Sequence, residues 1–205
     1  MSSGPNELAT RARILRAALD GFASAGVAVP SIRSIARSAG VSTGSIQHFF
    51  PSQAALRQAV TDYVIDLIRD VFAETVSGAS AIEVGSQLGQ RLTEFFHTHP
   101  RESRYLARTL IDQDDTATGL FAALLGLSAS QWSQLAEDGL LRKDVDALWA
   151  ALHVVIVNVG TILLEDLIDE QLPDPLNSST GIDRWRCAQT DLFQGLYRHS
   201  TEGVL

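Results

Sequence analysis

The feature that most constrains this chain is a turn, Gly40-Val41-Ser42, set between two short helical stretches. Gly40 can take the left-handed conformation that ends a helix. Upstream, Pro30-Ser31 reads as a helix start with Ser31 as the N-cap, and Ile32 to Ala39 is enough for about two turns. Downstream, Ser42 is placed to cap a second helix, Thr43 to Phe50, which Pro51 closes. Two short helices joined by a glycine turn make a helix-turn-helix, over about residues 31–50. Ala36 is small where the helices must approach, and Ile35, Val41 and Ile46 supply a minimal shared core. That leaves Thr43, Gly44, Ser45, Gln47 and His48 for a short polar surface. Such a surface suits a helix pushed into the major groove of duplex DNA, where its N-terminal residues meet base edges and phosphates. Gln47 can pair with adenine, and His48 can reach a base or a phosphate. A plain helical hairpin needs only the glycine. Here the cap, the turn plug, the polar helix and the local charge agree on the other reading.

That local charge is hidden by the total. The chain of 205 residues carries a net charge of −8, yet residues 1–57 hold six Arg (Arg11, Arg13, Arg16, Arg33, Arg37, Arg57) against two acids (Glu7, Asp20). Residues 58–205 hold ten basic and twenty-two acidic residues. A basic surface attracts phosphate whatever the distant charge, so the first quarter can meet a polyanion that the whole chain would repel.

The remainder reads as helix throughout. Ile14, Ala18 and Phe22 lie on one stripe that Gly26 stops; Leu56, Val60, Val64, Leu67 and Val71 mark another, with Gly78 beyond its end. Further stripes run through Leu88, Leu92, Phe95 and Phe96, through Leu106 and Leu110 after Pro100, and through Leu120, Leu124, Leu127 and Leu135. No run of short alternating strands and no fixed repeat is visible. The fold class is therefore all-α. The one clear linker is residues 172–181, rich in helix breakers. From Ala147 to Leu164, eighteen consecutive residues include no Asp, Glu, Lys or Arg. That touches the lower edge of a membrane span, but His153, Asn158 and Thr161 within it and four acids just after it argue against one. A helix apolar all round must be buried all round. In so small a protein, one face can pack on its own domain and the other on a second copy, with Gly160 permitting close approach. Ile182 to Tyr197, carrying Trp185, Leu192, Phe193 and Leu196, gives a second amphipathic helix.

Enzyme and metal chemistry find no footing. His97 and His99 stand two apart, so a helix would not bring them to one face. Cys187 is the sole cysteine, which excludes an intrachain disulfide or a cysteine-based zinc cluster. Gly40 to Gly44 lacks the spacing and lysine of a phosphate-binding loop. Asp112-Gln113-Asp114-Asp115 lacks the calcium-loop pattern and reads as a solvated helix end. We expect no cofactor and no metal. Met1 to Glu7 shows no basic segment leading into an apolar one, so no secretory signal is expected and a cytoplasmic location is.

The stretch from Ile14 to Leu56 resembles the DNA-binding domain of the tetracycline-repressor (TetR) family. The residues that carry the resemblance are Ile14-Leu15-Arg16-Ala17-Ala18, Phe22-Ala23-Ser24-Ala25-Gly26, Ser31-Ile32-Arg33-Ser34-Ile35-Ala36, Gly40-Val41-Ser42, Phe50, Ser52 and Leu56. The family usually has Tyr where this chain has Gln47, and Lys where it has Gln53. Both family residues commonly touch phosphates, so one cation and one aromatic hydroxyl are absent here.

The resemblance implies a three-helix DNA-binding domain over residues 1–53 and a helical effector-binding and dimerisation domain over 54–205. The DNA-facing set is then Ser31, Arg33, Ser42, Thr43, Gly44, Ser45, Gln47, His48 and Gln53. The effector pocket lies among the middle helices, with Phe95, Phe96, Tyr105, Leu110, Phe121, Leu125, Trp132, Trp149 and His153 as candidate liners. Plain core packing is the rival role for each of these, and for His153 that of a satisfied buried histidine. Val157, Gly160, Leu164, Trp185, Leu192 and Leu196 belong to a four-helix dimer bundle. The function implied is a homodimeric repressor that binds a near-palindromic double-stranded DNA operator and releases it on binding a small apolar or aromatic effector, with no membrane partner. The rival is a small-molecule-binding or catalytic helical protein whose helix-turn-helix is vestigial.

Overall fold

The computed structural model of the chain describes residues 5–24, 30–73 and 81–196. These form helices α1 (Pro5–Ser24), α2 (Ile32–Ala39), α3 (Thr43–Phe49), α4 (Gln53–Ala73), α5 (Ala81–Thr98), α6 (Pro100–Asp112), α7 (Asp115–Glu137), α8 (Ala147–Leu163), α9 (Glu165–Asp169) and α10 (Ser179–Gln194), with no strand among the described residues. The helix stops read at Gly26 and Gly78, and the helix end read at Tyr197, lie outside them. The chain divides into two compact units: Met1–Asp66 with Pro100–Leu120, and Leu67–His99 with Phe121–Leu205. This division differs from the boundary expected after residue 53. The N-terminal unit keeps the first turns of α4 and takes in α6, which the chain returns to supply.

In the N-terminal unit, α1 packs on α2 and α6. Ile14, Ala18 and Phe22 from α1, and Leu56, Val60 and Val64 from α4, are buried at the spacings that place them on one helix face. Tyr105 of α6 is 1% exposed. Its hydroxyl lies 2.6 Å from that of Thr61 and donates to the Arg57 carbonyl at 3.3 Å, so the buried phenol is satisfied. Leu110 of α6 is half-buried.

The corner between α6 and α7 is an exposed helix end, as read, with an ion-pair role added. The Arg57 guanidinium donates to Asp114 Oδ2 at 2.8 Å and to Asp112 Oδ2 at 3.0 Å. The other Asp114 oxygen accepts from the Ala117 amide at 2.9 Å, at the start of α7. Between the two carboxylates, Gln113 holds φ at 52°, a left-handed conformation that costs a non-glycine residue on the order of 1 kcal/mol. Arg57 ties both sides of that corner to α4, and in doing so it is spent internally rather than offered to a phosphate.

In the C-terminal unit, α5 packs on α10. Leu92, Trp132, Leu135, Leu141, Ala150, Ala151 and Val154 form a core cluster. Asp146 caps α8, its Oδ1 accepting from the Leu148 and Trp149 amides. The linker before α10 folds tightly over that helix's first turn. A Cβ on Gly181 would collide with the backbone carbonyl oxygens of Pro175 and Leu176. No helix among the described residues is long and apolar enough to cross a membrane.

In the single chain α8 is buried on one face only, as expected of a helix whose other face is left for a second copy. Ala150, Ala151, Val154, Val155 and Asn158 are buried. The opposite side is bare: Trp149 is 56% exposed, Ile156 53% and Leu163 43%. Those positions recur at seven, which is one stripe of a helix.

Candidate functional site

Each helix of the helix-turn-helix begins on a serine in extended backbone. Ser31 Oγ accepts from the Ser34 amide at 3.1 Å, and Ser42 Oγ accepts from the Ser45 amide at 3.0 Å. Gly40 ends α2 at φ 64° and ψ 40°, its amide bonding back to the Ala36 and Arg37 carbonyls. The Val41 amide donates to Ala36 O at 3.0 Å, closing the turn. Beneath it Ile35 and Ile46 are buried, while Val41 is half-buried. These contacts fix the start of α3 from both sides. Its orphan amides carry the positive end of a helix dipole, which favours anionic oxygens.

What α3 shows to water is polar. Thr43, Gly44, Gln47 and His48 are exposed, and Ser45 is half-buried with its hydroxyl 2.9 Å from that of Ser42. A Cβ on Gly44 would meet only Ser42 Oγ at 3.7 Å, ordinary contact. Its glycine is not required by packing, so the position leaves the helix backbone open to close approach. Ser31, Arg33 and Arg37 are exposed on the α2 side. Arg11 of α1 stands 5.4 Å above the ring of Phe50, the residue that ends α3. Gln53 has a role the sequence did not suggest. Its side-chain amide donates to the Pro30 carbonyl at 3.0 Å, stitching the first turn of α4 to the entrance of α2.

Comparison with known proteins agrees with this geometry. Residues 14–60 match the family model for bacterial regulatory proteins of the tetR family. The HTH-type transcriptional regulatory protein RaaS of Mycobacterium tuberculosis is 25% identical over 158 residues, covering 77% of this chain and 72% of that protein. Over residues 14–60 the chain carries a tetR-type DNA-binding domain. Solved structures extend the likeness of fold to both units. A TetR transcriptional regulator from Chloroflexus aurantiacus covers 96% of this chain and 100% of its own, with a TM-score of 0.73 at 20% identity. NalD, the secondary repressor of the MexAB-OprM multidrug efflux pump in Pseudomonas aeruginosa, covers 95% and 98%, with a TM-score of 0.66 at 19% identity. These relatives are transcriptional regulators.

The nine candidate pocket residues divide, with Phe96, Leu125 and Trp132 meeting at one core cluster. Tyr105 and Leu110 belong to the N-terminal unit, and Tyr105 is committed there to Thr61. Phe121, Trp149 and His153 are exposed, so His153 is not the buried histidine expected from its apolar surroundings. It lies beside Trp149, with ring centroids 5.8 Å apart. Phe95 is buried with His99 stacked on it at 4.8 Å; Phe96 meets Trp185 at 5.5 Å; Leu125 packs on the core cluster. Trp132 lines a cavity of about 30 Å³ together with Leu88, Leu92, Val154, Gln189 and Phe193. The residues missed there include a polar pair: Gln189 Nε2 donates to Asn158 Oδ1 at 3.2 Å, and Asn158 donates to Val154 O at 2.8 Å. A glutamine and an asparagine inside apolar helical stripes were the available signal.

The six candidate interface residues also divide. Leu164 and Leu192 are exposed, and Val157, Gly160 and Trp185 are half-buried. Leu196 is drawn inward instead: it packs against the core cluster, and its carbonyl accepts from the Arg142 amide at 3.3 Å. A Cβ on Gly160 would meet nothing of its own chain within 4 Å.

Proposed function

We propose that this chain is a homodimeric repressor of the TetR family that reads a near-palindromic operator through α3 and releases it when a small effector enters the C-terminal unit. The observation that carries the reading is the doubly capped helix-turn-helix with an exposed polar α3. The bare apolar stripe of α8, continued by Leu192 on α10, supports dimerisation by those helices. Regulators of this family bind DNA and small-molecule effectors and typically act as dimers. Two-fold symmetry of the protein then requires two-fold symmetry in the operator. Thr43, Gly44, Ser45, Gln47 and His48 face the bases, and Ser31, Arg33, Ser42 and Gln53 face the backbone. A DNA-bound role places the protein in the cytoplasm, with the chromosome.

For the effector, the cavity beside Trp132 is the natural entry point. At about 30 Å³ it holds no more than a water-sized guest, so an effector needs it enlarged. An effector must part Trp132 and Phe193, and its differential affinity for the opened form is what shifts the regulator off DNA. The apolar walls suit an aromatic or aliphatic body, and Gln189 offers one polar handle.

The test is selection of random and genomic duplex fragments by the purified chain at moderate salt. Enrichment of a near-palindrome is the expected result, and compounds are then screened for release of that fragment. No enrichment by a folded, dimeric, ligand-free sample would overturn the reading.

A further inference from the structure

Two exposed large apolar side chains of the N-terminal unit share one groove. Leu8 is 58% exposed and Tyr63 42%, and both line one groove of about 310 Å³ walled by α1, α4 and α6. The floor is Ala12, Leu15 and Leu19. The rim carries Arg11, Arg16 and Arg101 against one carboxylate, Glu102. Arg101 reaches Asp20 at 3.3 Å, whereas Arg11 and Arg16 have no ion-pair partner among the described residues. Burial and the Glu102 carboxylate, with which it shares a hydrogen bond, hold the Tyr63 phenol above its ordinary range, against the pull of Arg16.

A leucine floor under a guanidinium rim has a definite complement. A DNA phosphate would satisfy the arginines but leave Leu8 and Tyr63 in water. An uncharged apolar guest would cover the leucines and leave the cations without a partner. A guest that is both, with an acid group on an apolar body, meets the whole surface, and guanidinium pairs with carboxylate through paired hydrogen bonds. The volume is at the low end of the roughly 300–1,000 Å³ typical of small-molecule sites.

We propose that this groove binds an amphiphilic organic carboxylate, its acid group held by Arg16 beside the Tyr63 hydroxyl and its apolar body lying on Leu8, Leu15 and Leu19. The site is separate from the effector region of the C-terminal unit and does not depend on it. It has a direct route to DNA reading, because Arg11 on the same rim stands over Phe50 at the end of α3.

The experiment is calorimetric titration of the full chain with octanoate, octanol, acetate and inorganic phosphate, repeated on Arg16→Gln and Leu8→Ser. Both residues lie at the surface, so both variants keep the fold, checked by circular dichroism. Octanoate should bind at one site per chain. Octanol, acetate and phosphate should each bind roughly tenfold more weakly or worse, and Arg16→Gln should weaken octanoate by roughly tenfold, the scale of one lost charge-assisted contact. Leu8→Ser should cost less. The proposal is overturned if octanoate shows no saturable binding, if Arg16→Gln leaves its affinity unchanged, or if phosphate binds as well as octanoate. In the last case the groove is a DNA-backbone contact, and Arg16→Gln weakens binding to duplexes of every sequence.

Discussion

The bare faces of α3 and α8 are opposites. α3 shows water Thr43, Gly44, Gln47 and His48, over a start already capped by Ser42. α8 shows it Trp149, Ile156 and Leu163. The first face is stable in water until a duplex arrives, since its polar groups stay hydrated and its backbone is partly satisfied. The second is not in balance with water: each large apolar side chain that regains burial contributes about 1.5–3 kcal/mol. One surface is built for exchange between water and a partner, and the other for a standing partner. The difference also says which face tolerates change. Alterations on α3 should move affinity and leave assembly alone, and alterations on α8 should do the reverse first.

The sharpest way to break that contrast is Ile156→Glu. In a single chain Ile156 faces solvent, so the helices should keep their content by circular dichroism. In a two-fold interface the substitution places a buried carboxylate on both sides, which should raise the dimer dissociation constant by on the order of a thousandfold. Sedimentation equilibrium reads it directly. Operator binding should fall with it, because two half-sites then bind separately. A dimer that survives intact would remove α8 from the interface.

The floor beneath α3 gives the next largest effect. Ile46 is fully buried, and Ile46→Ala should cost about 2–4 kcal/mol in urea unfolding through the cavity it leaves. Its neighbour Gln47 faces out. Gln47→Ala should change stability by less than about 0.5 kcal/mol, yet weaken a specific operator by about 1–3 kcal/mol. Two adjacent residues with opposite profiles would show that α3 separates folding from reading within one turn.

How much of this was legible in the sequence follows the range of each interaction. Ser31, Gly40 and Ser42 act on amides or carbonyls three or four residues away, so the order of residue types sufficed to place both helices and the turn. Arg57 with Asp112 and Asp114, Gln53 with Pro30, and Gln189 with Asn158 join positions 23 to 57 residues apart. No local pattern announces them, and neither the Arg57 ion pairs nor the Gln53 bond to Pro30 was foreseen. The pocket candidates divide for a different reason. Phe121, Trp149 and His153 belong to helices apolar on several sides, and composition alone cannot say which side a neighbour takes. The same holds for Leu196.

Two glycines sharpen the α8 side of the comparison. Gly181→Ala forces a Cβ into backbone carbonyls that cannot swing away, and about 1–3 kcal/mol of stability should be lost, measured on the chain at any concentration. Gly160→Ala meets nothing in its own chain. Its cost should therefore appear only as weaker dimerisation, and so depend on protein concentration. A loss at Gly160 that is independent of concentration would mean that the bare stripe is used within one chain.

The smallest expected effect tests the exchange face itself. Gln53→Lys restores the cation usual in the family at the start of α4. It also removes the hydrogen bond to Pro30, so stability should fall by about 0.5–1 kcal/mol. If position 53 faces the DNA backbone, affinity for duplexes of any sequence should rise a few-fold at low salt. The slope of log affinity against log salt should steepen by about one, the signature of one more neutralised phosphate. Titrations at several salt concentrations separate these effects, since a stability loss shifts the unfolding midpoint without touching that slope. An unchanged slope would confine Gln53 to its bond with Pro30. The missing family cation would then be the cost of a glutamine that holds the helix-turn-helix to the helix after it.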